Sequence, residues 1–405
     1  LIGSGLIGEL SSLFQFIHLA MKVLYDHQIF EHQNIGGISR YFFELINAFQ
    51  GKPGIETELS LIYSNNEYIK HLNGIAPRVG YSDRLKAFLG GINFRGKSKI
   101  FDFKNKLVPT KTHDQLNLEH TIKTLQEGNF DIFHPTYYDT YFLEYLGDKP
   151  LVITVYDLIH QIFGEYFSPN DIDKSQELLT TASAIIAISE STKRDLVNIF
   201  NVNEQKVWVT HLASSLDTCD EMTRSNFFLP DQYVLFVGGR WAYKNFYFFA
   251  QMFGKISQQF PYLSLVCTGS PFSKNEDLFL KKIGIRDRTY SYFVNDNELS
   301  YLYQNAVCFV FPSLYEGFGI PVLEAFHSNC PVIISNTSSL PEVAGDAAMV
   351  FEPKDPASLF NALKKIVTDK LFREQLVHKG KERLACFSWE NTAEKTFNIY
   401  KAVLQ

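Results

Sequence analysis

Phe309 to Phe326 reads FVFPSLYEGFGIPVLEAF, and the way this stretch is divided decides the fold. Phe309, Val310 and Phe311 are β-prone and lead into Pro312 and Ser313. The apolar run breaks at Tyr315-Glu316-Gly317-Phe318-Gly319, then resumes with helical spacing at Ile320, Leu323 and Phe326. The pattern predicts a strand, a glycine loop and a helix. It puts Glu316 at the carboxyl end of a buried parallel strand and Glu324 one turn past Pro321, in the first turn of the helix. Both carboxylates are expected to face one crevice. Ligands of open α/β sheets bind in such a crevice, and free N–H groups at a helix start favour an anionic group such as phosphate.

The spacing Glu316-x7-Glu324, inside P-S-x-Y-E-G-F-G-I-P-x-L-E-A, closely resembles the signature of the retaining glycosyltransferases of family 4. The resemblance implies the α/β GT-B fold, two Rossmann-like domains facing each other across a cleft. It also implies that Glu316 lies near the transferred sugar and that Glu324 hydrogen-bonds the ribose, with Gly317, Phe318, Gly319 and Ile320 also binding the donor. The plainer reading, with Glu324 decorating a helix start and Glu316 a surface turn, leaves the flanking Phe318, Ile320 and Pro321 without a reason.

The whole chain sets outer bounds. Its 405 residues exceed the usual limit of a single core and predict two domains. A net charge of -6 gives no reason to expect nucleic-acid binding. Cys219, Cys267, Cys308, Cys330 and Cys386 form no CxxC pair and read as reduced core residues of a cytoplasmic protein. No run of about 20 apolar residues is present, so any membrane contact is expected to be peripheral. Residues 1–20 read as a leader or cloning remnant ahead of the strand that opens at Met21, with a signal peptide or an extra amphipathic helix as the alternatives.

In the amino-terminal half, Met21 to Tyr25 reads as a strand, and Gly36-Gly37 precede a helical pattern through Tyr41, Leu45, Ile46 and Phe49. Paired glycines let backbone approach a ligand, and the helix start offers N–H donors to a phosphate or a sugar hydroxyl. The pair matches the family's glycine loop in position. Thr57 to Tyr63, Phe130 to His134, Leu151 to Val155 and Ala184 to Ile188 are further strand-like runs. Between Arg84 and Leu107, basic residues alternate with Phe88, Leu89, Ile92, Phe94, Ile100, Phe101 and Phe103, which suits an anionic, partly apolar surface. This segment is expected to touch the cytoplasmic face of the inner membrane or a lipid-pyrophosphate acceptor, an ordinary basic helix pair being the plainer reading. Asp157 and His160 follow the Leu151–Val155 run and are candidates for binding acceptor or donor sugar hydroxyls. The family often has a His where Tyr156 stands, which leaves the role of that position open. Asp171-Ile172-Asp173 spells DxD, but it opens a helical pattern and is read as first-turn acids facing the helix dipole, not as a metal site. No His or Cys cluster offers another metal site. Ser189-Glu190-Ser191-Thr192 reads as a helix cap.

In the carboxy-terminal half, residues 217–232 are polar and irregular and read as a linker. VLFVGGRWAYKNF follows, with Gly238 and Gly239 at the strand exit and the cations Arg240 and Lys244 beyond it. Two fixed cations would stabilise the charge that builds on a diphosphate as the bond to the sugar breaks, without a divalent metal. The family likewise uses an Arg and a Lys here, and Lys244 is the closer positional match. Leu263 to Thr268, Tyr290 to Val294 and Pro331 to Ser335 read as strands, and Ser338-Ser339-Leu340 as a helix start. Asn336-Thr337-Ser338 is formally a glycosylation sequon that a cytoplasmic chain would not use.

The sequence thus predicts an acceptor-side domain over 21–216, a donor-binding domain over 233–388 and a helix over 389–405 that returns to the first domain. Candidate catalytic residues are Glu316, Arg240, Lys244, Asp157 and His160. Donor-binding candidates are Gly36, Gly37, Arg240, Lys244, Glu316, Gly317, Phe318, Gly319, Ile320 and Glu324. The resemblance implies retaining, metal-independent transfer of a hexose, mannose from GDP-mannose first, to a glycan or polyprenyl-diphosphate-linked acceptor in O-antigen or other surface polysaccharide synthesis. The alternatives are a UDP-hexose donor, a nucleotide-sugar epimerase of the same fold, and a catalytically silent nucleotide-binding partner of a glycan-assembly complex.

Overall fold

The computed structural model describes residues 20–107, 111–164, 170–216 and 228–405. Twelve strands run through them: β1 Met21–Tyr25, β2 Ile55–Leu59, β3 Ile132–His134, β4 Val152–Val155, β5 Ala184–Ala187, β6 Val207–Val209, β7 Tyr233–Phe236, β8 Ser264–Thr268, β9 Thr289–Tyr292, β10 Cys308–Phe311, β11 Val332–Ser335 and β12 Met349–Phe351. They form three sheets, ordered β2-β1-β3, β4-β5-β6 and β12-β11-β10-β7-β8-β9. The six-stranded sheet is parallel throughout, with Phe309 of β10 opposite Leu235 on one side and Val332 on the other. The sequences YVLF, CFVF and VIIS are buried along their whole length, as parallel strands covered on both faces require.

The described residues pack into two units that interleave along the chain. The first comprises 20–154, Lys174–Ala184 and Phe397–Gln405, and the second Val155–Asp173 and Ile185–Thr396. The division differs from the expected blocks because residues from Ile185 to Leu216 pack with the second unit, where Ser189 and Thr192 donate to the Gly317 carbonyl. The core of the second unit is rich in phenylalanine. Phe246, Phe249, Phe253 and Ile256 of the helix Phe246–Gln259 are buried there, and the Phe249 ring stacks on Phe236 at 6.1 Å. In the first unit, the helix Gly37–Phe49 buries Tyr41, Phe42, Leu45, Ile46 and Phe49. Tyr25 and His134, at the ends of the paired strands β1 and β3, both hydrogen-bond the Tyr400 hydroxyl, at 2.8 and 2.6 Å.

Several expectations are corrected. The run Thr57–Tyr63 forms its strand earlier, at β2, and Tyr290–Val294 at β9. Strands β6 and β12, VWV and MVF, are only three residues long and are not among the expected strands. Cys386 is exposed, unlike the buried Cys267, Cys308 and Cys330. Lys97 is buried with its Nζ on the Lys86 carbonyl at 3.1 Å, so it leaves the basic surface of 84–107. Asp171 and Asp173 lie in the helix Asn170–Thr181. The expected leader over residues 1–20 lies, but for Ala20, outside the described residues, as do Cys219 and 217–227 of the expected linker.

Candidate functional site

Strands β7, β10 and β11 are neighbours, so the loops leaving their carboxyl ends start side by side. The loop after β7 passes Gly238, at φ 104°, and runs through Arg240 to a short 3-10 turn at Ala242–Lys244. The loop after β10 carries Glu316 to Gly319, then the helix Ile320–His327 with proline in its first turn. Two glycines shape this second loop. A Cβ on Gly317 would stand 1.8 Å from the Tyr156 carbonyl oxygen, so only glycine lets the loop lie against Tyr156 and Asp157. Gly319 has φ 113°, in the left-handed region, and caps the helix.

Lys244 and Glu316 meet here. The Lys244 ammonium donates to Glu316 Oε1 at 2.7 Å, and the two side chains are only 15% and 11% exposed. The ammonium also lies over the Phe311 ring, 5.1 Å from its centre, at the end of β10. Asp157 belongs to the same electrostatic neighbourhood. Burial raises its pKa above the ordinary value; the Ile159 N–H and His160 act in the opposite sense, Glu316 raises it further and Lys244 lowers it. Tyr243 has its hydroxyl pKa raised by burial first, then by Glu316 and Asp157. One cation and two carboxyl groups, that of Asp157 with a raised pKa, thus share a poorly solvated site.

Arg240 has different partners. Its Nε donates to Glu276 at 2.6 Å and its Nη2 to the Ser270 carbonyl at 2.6 Å, while the guanidinium lies 4.7 Å from the Phe272 ring centre. Nη1 is buried without a protein hydrogen-bond partner. Glu324 lies in the second turn of its helix, where Oε2 accepts from the buried Tyr303 hydroxyl at 3.2 Å. Phe318 is buried and Ile320 opens the helix. His160 sits in a one-turn helix, Ile159–Ile162, next to Asp157. Gly36 and Gly37 lie in the first unit, where Gly36 precedes the helix that Gly37 opens and its carbonyl accepts from Ser39. Among the described residues, no group of three or more His, Cys, Asp or Glu is placed to hold a metal ion.

Sequence reasoning overlooked the hydroxyl-rich stretch Ser335-Asn336-Thr337-Ser338-Ser339, reading it only as a sequon and a helix start. Ser338 Oγ accepts from the Glu316 N–H at 2.9 Å, and Ser339 Oγ donates to the carbonyls of Glu316 and Phe318 at 2.9 and 2.7 Å. Thr337 Oγ1 donates to the Leu314 carbonyl at 3.0 Å and Ser335 Oγ to that of Ser313. The signal was the density of hydroxyls directly after a buried strand. Glu342 was also missed: its carboxylate accepts from the N–H groups of Glu190 and Ser191 and from His211 Nε2.

The family model Glycosyl transferases group 1 matches residues 219–383, and the model Glycosyltransferase Family 4 matches residues 35–214. O-antigen chain mannosyltransferase B of Escherichia coli is 28% identical over 401 residues, covering 94% of this chain and 100% of that protein. Among solved structures, a sucrose-phosphate synthase from Thermosynechococcus elongatus aligns with a TM-score of 0.68 at 18% identity, over 95% of this chain and 98% of its own. Anabaena Alr3699/HepE in complex with UDP and glucose aligns with a TM-score of 0.69 at 14% identity, over 94% and 100%. The two family matches run nearly end to end through both Rossmann-like units, and the group 1 match takes in Glu316, Glu324, Arg240 and Lys244: the chain belongs to the family 4, group 1 glycosyltransferases and has the GT-B fold.

Proposed function

We propose that this glycosyltransferase moves a hexose, mannose from GDP-mannose first, to a hydroxyl of a glycan or polyprenyl-diphosphate-linked glycan, retaining the anomeric configuration, in bacterial surface polysaccharide synthesis. The observation that carries the reading is the poorly solvated Lys244–Glu316 pair at the carboxyl end of β10. Lys244 would stabilise the charge that grows on the leaving diphosphate, assisted by Nη1 of Arg240. Glu316 would contact the sugar and Glu324 the ribose, with the backbone of Gly317, Phe318, Gly319 and Ile320 around the donor. Asp157 and His160 would bind sugar hydroxyls, and the helix start at Gly36-Gly37 would offer N–H donors to a phosphate or hydroxyl. In the retaining step, the bond from the anomeric carbon to the phosphate oxygen breaks as the acceptor oxygen bonds on the same face. The leaving phosphate takes the acceptor's proton. Two protein cations make a divalent metal unnecessary in this reading.

The choice of mannose rests on the relative named for transfer to the O-antigen chain. A UDP-hexose is the second reading, favoured by the structural neighbour described with UDP and glucose. A thermal-shift panel of GDP, UDP, ADP, dTDP and their sugar conjugates, with and without chelator, decides between them. Chelator-insensitive stabilisation by the guanine series supports the first reading and by the uridine series the second. Stabilisation by none favours a silent nucleotide-binding role. NMR of the product's anomeric proton tests retention.

The partner and location belong to the same proposal. No helix among the described residues is long and apolar enough to cross a membrane. Leu89, Ile92 and Phe103 are exposed, as are Lys86, Lys99 and Lys104 around them. We assign this surface to peripheral contact with the anionic cytoplasmic face of the inner membrane. Changing these three lysines to glutamine should abolish co-sedimentation with phosphatidylglycerol vesicles; unchanged sedimentation overturns the assignment.

A further inference from the structure

The backbone of the Glu316 loop is held almost entirely by side-chain hydroxyls. Three consecutive carbonyls accept from them: Glu316 and Phe318 from Ser339, and Gly317 from Ser189 at 2.7 Å with Thr192 at 3.3 Å. The Glu316 N–H is taken by Ser338 Oγ. Ser189, Thr192 and Ser339 are fully buried, so water does not compete for these bonds. The two hydroxyl sources are tied together. Glu342 follows Ser339 by three residues, and its carboxylate accepts the N–H groups of Glu190 and Ser191, the two residues between Ser189 and Thr192. Arg383 fixes the Glu342 end in turn, donating to the carbonyls of Glu342 and Val343. None of these groups is needed merely to continue a helix or strand at Glu316.

We propose that Ser338 and Ser339 are positioning residues that hold the backbone of Glu316, so that its carboxylate occupies a fixed place before the donor arrives. The inference rests on the reading of Glu316 as the residue next to the transferred sugar. Ser338 makes it testable, because its φ of 49° is left-handed and strained for a residue with a side chain. Ser338→Gly removes the hydroxyl and that strain together, so the effects on stability oppose each other while the effect on Glu316 does not.

The experiment compares wild type, Ser338→Gly and Glu316→Gln in melting temperature and in steady-state release of GDP from GDP-mannose, or of UDP from UDP-glucose if the uridine series stabilises the protein. Ser338→Gly should melt within about 3 °C of wild type. Its kcat should fall by about 10- to 100-fold, as for a misplaced reacting group, while KM for the donor changes less than about threefold. A Ser338→Gly protein that keeps the wild-type kcat, or that loses rate only together with melting temperature or with donor KM, overturns the proposal. Glu316→Gln keeps the two failures apart. If it turns over like wild type, the reading of Glu316 is wrong; if it is impaired and Ser338→Gly is not, only the positioning role is wrong.

Discussion

At the scale of single residues, the site is decided by Lys244 and Gly317. Lys244→Met removes the partner of a Glu316 side chain that is 11% exposed. Leaving that carboxylate unpaired should cost about 3 kcal/mol of stability, and turnover should be lost with it. Adding Glu316→Gln should restore the melting temperature but not turnover, because the neutral pair no longer carries a buried charge. A Lys244→Met protein with normal turnover would remove the ammonium from the chemistry. Gly317→Ala acts through shape alone. The added methyl meets the Tyr156 carbonyl oxygen at 1.8 Å and Asp157 Cβ at 2.9 Å, neither of which is a flexible tip. Backbone must shift, so urea denaturation should show a loss of about 1–3 kcal/mol and turnover should fall. The loop positions of Glu316 and Lys244 were legible in the sequence because each follows shortly after an apolar strand run, whereas Glu324 was expected in the first turn of its helix and lies in the second. Arg240's engagement was not: Glu276 is 36 residues away and follows β8, which lies beside β7, the strand that precedes Arg240.

At the scale of elements, Glu342 joins the helix Leu340–Ala344 to the start of the helix Glu190–Phe200. A carboxylate at a helix N-terminus satisfies N–H groups that have no partner within the helix and opposes the helix dipole. Burial raises its pKa, but the bonds from His211, Glu190 and Ser191 outweigh burial and hold it below the ordinary value of 4.5. The sign follows. A carboxylate with a depressed folded pKa contributes stability that is complete above its unfolded pKa and is lost as pH falls through the folded one. Below pH 4.5, wild type should therefore lose more stability than Glu342→Gln, as denaturant melts across the acid range would show. Equal pH profiles would mean that the carboxylate is not the clamp. The elements themselves were mostly legible where both sheet faces are covered, since CFVF and VIIS read as unbroken apolar runs. Strands β6 and β12 were missed because they are short sheet-edge strands with outward-facing residues: Trp208 is 45% exposed and Val350 38%. Their strand character comes from pairing with β5 and β11, which no local window of sequence contains.

At the scale of the whole molecule, the first unit draws on three separate stretches of chain. Tyr400 supplies one hydroxyl to two buried partners, Tyr25 and His134 Nδ1. Burial brings the pKa of His134 down to about 3, so the ring stays neutral and is a hydrogen-bonding group and not a charge. Tyr400→Phe leaves both partners short of a bond inside the core and should destabilise the first unit by about 1–3 kcal/mol. Hydrogen exchange in β1 and β3 would register that loss, and unchanged protection there would refute it. Two units were legible from length and from the two strand-glycine-helix patterns. The return of the last helix was part of the expectation, but the packing of Ile185 to Leu216 with the second unit was not legible, because contacts such as Ser189 with Gly317 join residues 128 positions apart.

That interleaving bears on how the protein is made. Tyr25 and Tyr400 are 375 residues apart. A ribosome adding about 5–20 residues per second needs roughly 20–75 seconds to cover that interval. Domains generally fold in the order in which they are synthesised, but β1 waits for a partner that emerges long after most of the second unit. A ribosome-bound nascent chain stopped before Phe397 should therefore expose the β1 region to protease while the second unit resists.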